Sequence, residues 1–208
     1  MNDKLHSYIE NLIPARNGLL VEMEAYARDN GVPIMELAGI EALLQILRLQ
    51  NPKAILEVGT AIGYSALRMS YAVPDAKIVT IERDEERLQL AEQFISRSGQ
   101  DKEILIIKGD ALEVEAEISI HAPYDAIFID AAKGQYKKFF ELYSRYLHED
   151  GIIITDNVLF KGLVCEDDIE NKRIRNLVKK INDFNHWLME HPDYHSVILP
   201  VGDGVASQ

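Results

Sequence analysis

Along the chain, short apolar runs alternate with stretches in which apolar positions recur every three or four residues. The first is the spacing of buried strands and the second that of amphipathic helices. The strand candidates are 54–58, 77–82, 103–107, 125–129, 151–155 and 195–201. The first five are nearly continuous in Ile, Val, Leu and Phe, as expected of strands covered on both faces of a parallel sheet. In the helical stretch 84–98, Leu88, Ala91 and Ile95 share a face, with Asp84 and Gly99 as caps. Strand, helix, strand in repetition predicts a parallel sheet with right-handed crossovers. The pattern changes after a helix at 173–189. There 195–201 runs through Gly202-Asp203-Gly204 into 205–208, which predicts two strands joined by a tight turn, an antiparallel pair at the sheet edge. The first fifty residues read as two or three helices, one of them largely apolar at 36–49, packed over one end of the sheet. The expectation is one domain over 1–208, with a helical cover at 1–50 and an α/β core at 51–208.

Composition narrows the class. The chain has 208 residues, enough for one well-buried core. No run of 18 residues is free of charge, so no segment is expected to span a bilayer. The opening MNDKLHSYIENL lacks the basic and apolar regions of a signal peptide, and Cys165 is the single cysteine, which points to a reducing cytoplasm. The net charge of −12 argues against nucleic acid over the surface as a whole, although a local basic patch would override it.

In an open parallel sheet, ligands bind beyond the carboxyl ends of the strands, so the residues there carry the chemistry. The first strand ends in Glu57-Val58-Gly59-Thr60-Ala61-Ile62-Gly63-Tyr64-Ser65, where two glycines permit a tight turn and close approach of a ligand. The second ends in Glu82, a carboxylate able to accept both hydroxyls of a ribose, and the third in Gly109-Asp110-Ala111, with a carboxylate for an adenine amino group. The plainer alternative, that these acids only mark helix entries, suits any one of them better than all three. The fourth strand ends in Asp130-Ala131-Ala132-Lys133 and the fifth in Asp156-Asn157. Asp130, Asp156 and Asn157 would converge as hard oxygen ligands for Mg²⁺ or Mn²⁺, while Cys or His at zinc spacing is absent. The alternative for Asp156-Asn157 is a turn cap. Lys133 would serve as a general base once an adjacent cation destabilises its ammonium, or else be a solvated surface lysine.

These motifs resemble the class I S-adenosylmethionine methyltransferases, and within them the cation-dependent O-methyltransferase family that includes the catechol and caffeoyl-CoA enzymes. The resemblance covers nearly the whole chain. It implies a Rossmann-like α/β fold, with a mostly parallel seven-strand sheet, an antiparallel last strand and helices on both faces. It also implies S-adenosylmethionine as cofactor, contacted by Met35, Glu57, Gly59, Ser65, Glu82, Asp110, Ala111 and Asp130. A metal on Asp130, Asp156 and Asn157, catalysis by Lys133 with Asp130, and a homodimer follow from it as well. Met35 taken alone reads as a core residue.

A metal-chelated acceptor needs two vicinal oxygens, which a catechol and a 5-hydroxyuracil both offer. The segments 130–136, 156–164 and 185–189 resemble the bacterial tRNA 5-hydroxyuridine methyltransferases, which implies the tRNA anticodon region as partner and 5-methoxyuridine at the wobble position as product. A helical wheel puts Lys172, Arg175 and Lys179 on one face with Arg173 and Lys180 at its edge, opposite Ile174, Leu177, Val178 and Ile181. Lys161, Lys172, Arg173 and Arg175 are the candidate RNA contacts, against the ordinary alternative of a solvated face. The chain stops at Gln208 without the basic tail expected of that relative. Two other readings stand beside this one: a small-molecule enzyme for catechol-like acceptors, and a catalytically silent binding module.

Overall fold

Seven strands form one sheet in the order β3-β2-β1-β4-β5-β7-β6. The computed structural model describes residues 3–208; Met1 and Asn2, the start of the polar opening segment, lie outside the described residues. The strands are β1 (Ala54–Val58), β2 (Lys77–Glu82), β3 (Ile104–Lys108), β4 (Tyr124–Ile129), β5 (Leu147–Thr155), β6 (Val197–Leu199) and β7 (Val205–Ser207). β1 to β5 pair in parallel, and β7 runs antiparallel between β5 and β6. The order reverses at β1, whose neighbours are β2 and β4, and this is where an open α/β sheet leaves a crevice.

Adjacent residues of a strand face opposite sides, and β1 shows the consequence. Ile55 joins a core with Leu43, Leu47, Leu67 and Phe94, while Leu56 joins a second core with Ile127, Phe140, Phe184 and Leu188. The first is covered by α2 (Gly18–Asn30), α3 (Leu37–Gln50), α4 (Tyr64–Ala72) and α5 (Glu85–Ser98). The second is covered by α6 (Glu115–Ser119), α7 (Tyr136–Tyr143) and α8 (Lys172–Met189). Apolar residues on both faces explain why these strands lack alternation. α1 (Asp3–Leu12) precedes the cover, so three helices fill the first fifty residues.

Local signals set several boundaries as expected. Asp84 caps α5 by accepting from the Arg87 amide at 3.0 Å, and Gly99 closes it at φ 73°. Two strands differ from the sequence expectation by more than one residue. β5 begins at Leu147 rather than 151, because the exposed stretch His148–Asp150 continues the strand around a register shift between Tyr124 and Ala126 of its partner. Its polarity hid it. β6 is only Val197–Leu199. Pro200 cannot donate to a ladder, and Ser196 instead gives its hydroxyl to the Leu188 carbonyl at 3.0 Å.

Polar side chains bind the helical cover to α4. Tyr64 donates to Glu24 at 2.6 Å, and Arg68 donates to Tyr64 at 2.7 Å and to Glu41. Arg16 holds Glu24 through two bonds, at 2.8 and 2.7 Å. Among the described residues, no helix is long and apolar enough to cross a membrane.

Candidate active site

The strand ends are stitched together by backbone bonds that set two aspartates side by side. Asp130 donates its amide to Val58 at 3.0 Å, and Asp156 donates its own to Ile129 at 3.1 Å. A cleft of about 560 Å³ opens over them, within the usual range for a small-ligand site. Its walls include Gly59, Ser65, Glu82, Asp110, Ala111 and Asp130 from the sheet side and Met35 from the cover.

Gly59 is needed for packing and Gly63 for its backbone conformation. A Cβ on Gly59, at φ 112°, would sit 2.2 Å from the Asp130 carbonyl oxygen. One on Gly63 would touch Ala91 and Ile95 of α5 at 3.4 Å. Close approach of neighbouring protein therefore accounts for Gly59, which also lines the cleft, and a positive φ of 84° accounts for Gly63. Glu82 is fixed by three amides, from Ala61 at 2.8 Å and from Arg83 and Asp84 at 2.9 Å each. Its carboxylate thus ties the β1 loop to the end of β2 and stands preorganised in the cleft. Asp110 accepts from the Leu112 amide at 2.9 Å and from Arg83 at 3.0 Å, which together hold its carboxyl below the usual range.

Glu57 is placed differently from the other expected cofactor contacts. It is fully buried and does not line the cleft. Ser65 and Thr80 each donate to it at 2.5 Å, so it supports Ser65, which does reach the cleft. Burial pushes its carboxyl up to about 7 against those two hydrogen bonds. Met35 belongs to both settings, buried in the core and exposing an edge to the cleft.

Asp130 and Asp156 form the acidic floor. Asp156 is 2% exposed, and burial raises both carboxyls, with Asp130 adding repulsion at Asp156. Neither makes an ion pair with a described residue. Asn157, held at φ 60°, donates its amide to Asp156 at 2.8 Å, and Lys133 donates to the Asn157 side-chain oxygen. The four residues expected to act together do converge. Lys133 nonetheless occupies the amide oxygen that was expected to face a metal. Among the described residues, no group of three His, Cys, Asp or Glu side chains could hold a metal, so the donor set is two carboxylates and an amide. Carboxylates drawn out of water are costly unless neutralised or coordinated, and a hard divalent ion suits this oxygen set.

The basic candidates separate in space. Lys161 lines the cleft at φ 57°. Lys172 and Arg173 are exposed on the first turn of α8, whereas Arg175 turns its guanidinium to the Ile169 carbonyl at 3.1 Å. Two cleft residues carried no recognised signal. Phe160 lies with its ring centroid 6.0 Å from the Lys133 ammonium. Asp203, 9% exposed, accepts from the Lys161 amide. It sits in Gly202-Asp203-Gly204, where a turn alone explained the residue types.

Comparison with known proteins agrees with this geometry. The model of a family described as O-methyltransferase matches residues 15–207. A caffeoyl-CoA O-methyltransferase of Medicago sativa is 30% identical over 217 residues, covering 98% of this chain and 87% of its own. A solved structure from Staphylococcus aureus superposes with a TM-score of 0.87 at 37% identity, covering 99% of this chain and 95% of that one. A Podospora anserina methyltransferase bound to S-adenosylhomocysteine gives 0.84 at 28%, over 99% and 93% of the two chains. With a cleft at the switch point of a seven-strand sheet and a match over nearly its whole length, the chain belongs to the S-adenosylmethionine-dependent O-methyltransferase family.

Proposed function

We propose that the protein transfers a methyl group from S-adenosylmethionine to a hydroxyl that has a second oxygen beside it, as in a catechol. The observation that carries this reading is the acidic floor of the cleft, where buried Asp156 and partly buried Asp130 stand beside Asn157 and Lys133. Glu82, Asp110 and Met35 would hold the adenosine end of the cofactor, with Ser65 positioned by Glu57. Asp130, Asp156 and Asn157 would hold Mg²⁺ or Mn²⁺, whose charge favours the ionised form of a chelated hydroxyl. Lys133 would take the hydroxyl proton on Nζ as a neutral amine, its own ammonium proton first lost to solvent, and would exchange its bond to Asn157 for one to the acceptor. Phe160 walls the same mouth with an apolar ring suited to a flat acceptor. Fixing both partners in line is then the main contribution of the protein.

The test is turnover of caffeoyl-CoA and of simple catechols with S-adenosylmethionine, followed by mass spectrometry, with Mg²⁺ and with a chelator. A methylated product formed only with metal supports the reading; equal turnover in chelator overturns the metal assignment.

The second reading, methylation of 5-hydroxyuridine in tRNA, is favoured by one observation: exposed Lys172 and Arg173 stand beside the 131–133 segment that also walls the cleft. The names of the relatives favour the catechol type. Nucleoside analysis of tRNA from cells lacking the gene distinguishes the two. Accumulated 5-hydroxyuridine with lost 5-methoxyuridine supports the RNA acceptor, and an unchanged profile removes it.

A further inference from the structure

A second cavity, of about 780 Å³, shares residues 131–133 as a wall with the active-site cleft. Its opposite wall is α8, through Lys172, Arg173, Asn176, Leu177 and Lys180. Counting about 100° per residue, these five span one arc of the helix, while Arg175 and Lys179 fall outside it. The structure therefore divides the basic stripe: the cavity faces the Arg173 and Lys180 edge rather than the Arg175 face.

The charge in this cavity is of one sign. Lys133, Lys172, Arg173 and Lys180 line it, and no carboxylate does, in a chain of net charge −12. Acids are near in sequence, since Glu166, Asp167, Asp168 and Glu170 precede the helix, yet none pairs with these cations. Elsewhere Arg16, Arg68, Arg83, Arg97 and Arg145 each meet a carboxylate. The Lys180 stem packs close to the loop at Gly134, where a Cβ would lie in van der Waals contact, 3.4 Å from its Cδ and 3.6 Å from its Nζ. Cations gathered in a recess repel one another and lower the energy of an anion that enters. Arginine and lysine together with the Asn176 amide suit the oxygens of a phosphate.

We propose that this cavity is a subsite for a phosphate ester carried by the acceptor, placed so that the attached hydroxyl reaches Lys133 and the acidic floor. The inference rests on the methyl-transfer reading of the neighbouring cleft for its purpose, and on the cavity alone for anion binding. A phosphodiester of RNA and a phosphate of a small coenzyme ester present the same chemistry.

Direct binding is tested by calorimetric titration of the full chain with inorganic pyrophosphate. Wild type binds, and Lys172→Ala/Arg173→Ala/Lys180→Ala weakens binding at least about tenfold, the scale of one lost charge-assisted contact. Lys138→Ala, at an exposed position of α7 outside the cavity, serves as the charge control and binds as wild type does. All three side chains of the triple variant are exposed, and circular dichroism checks its fold.

Kinetics identify the source. KM is compared for an RNA oligonucleotide containing 5-hydroxyuridine against the free nucleoside, and for caffeoyl-CoA against caffeic acid. In one pair the phosphate-bearing member has the lower KM, and the triple variant removes that advantage with a smaller effect on kcat. Pyrophosphate binding equal in wild type and triple variant, or absent in both, overturns the subsite. Binding lost in the variant while neither pair turns over leaves the subsite standing as an anion site and overturns the proposed acceptor class instead.

Discussion

Asp156 carries the sharpest prediction for a single residue. Asp156→Ala removes a carboxylate at a strand end, so methyl transfer falls by orders of magnitude while the circular dichroism spectrum is kept. Retained turnover would remove Asp156 from the ion site. Glu82→Ala has a double effect, because the carboxylate both faces the cleft and ties Ala61 to Arg83 and Asp84. Affinity for S-adenosylhomocysteine drops by about 1–3 kcal/mol, read by calorimetry, and the melting temperature drops with it. Glu57 predicts a pH effect. Its folded carboxyl titrates at about 7, above the ordinary value of 4.5, so the folded state binds the extra proton. The contribution is fully present below 4.5 and is lost as pH rises through 7. The melting temperature of wild type relative to Glu57→Gln therefore falls across that window; parallel curves would refute it.

At the scale of elements, the contact between the helical cover and α4 matters because Met35 reaches the cleft from that cover. Arg68 is 6% exposed and bridges Glu41 and Tyr64. Glu41 is partly exposed and stays solvated without its partner, so Arg68→Ala costs about 1–2 kcal/mol by denaturant unfolding, from the lost hydrogen bonds and packing. Affinity for S-adenosylhomocysteine weakens in the same variant as the cover loosens. A loss under about 0.5 kcal/mol would mean that apolar packing alone holds the cover. Positive φ values at Ala61, Asn157, Phe160 and Lys161 show the complementary feature, since each of these strained residues lines the cleft.

For the whole molecule, net charge and local charge oppose each other. A surface of −12 repels polyanions at long range, and the α8 edge attracts them at short range. If tRNA is the acceptor, its KM rises with salt, and Lys172→Ala/Arg173→Ala flattens that slope because fewer counterions are released. Affinity for S-adenosylhomocysteine stays constant, since those side chains do not line the cofactor cleft. An unchanged salt slope would take α8 out of RNA binding.

The order of strands and helices was legible from the sequence because burial on both faces leaves nearly continuous apolar runs, as in Ile127, Phe128 and Ile129. The acids at the strand ends were legible for a related reason: a polar residue closing such a run stands at the rim of a crevice. What side chains meet across the fold was not legible. Glu57 reads as a cleft residue until Thr80 and Ser65 are seen to enclose it, and the Asp130 carbonyl packed against Gly59 has no signal in the sequence. Asp203 needed the turn after β6 to fold back onto Lys161. The basic helix was visible, but which of its edges meets Gly134 and the Lys133 loop depends on the rotation of α8 about its axis. That rotation is set by how Val178, Ile181, Phe184 and Leu188 dock on the core, a packing outcome between segments distant in sequence, and only the tertiary structure decides it.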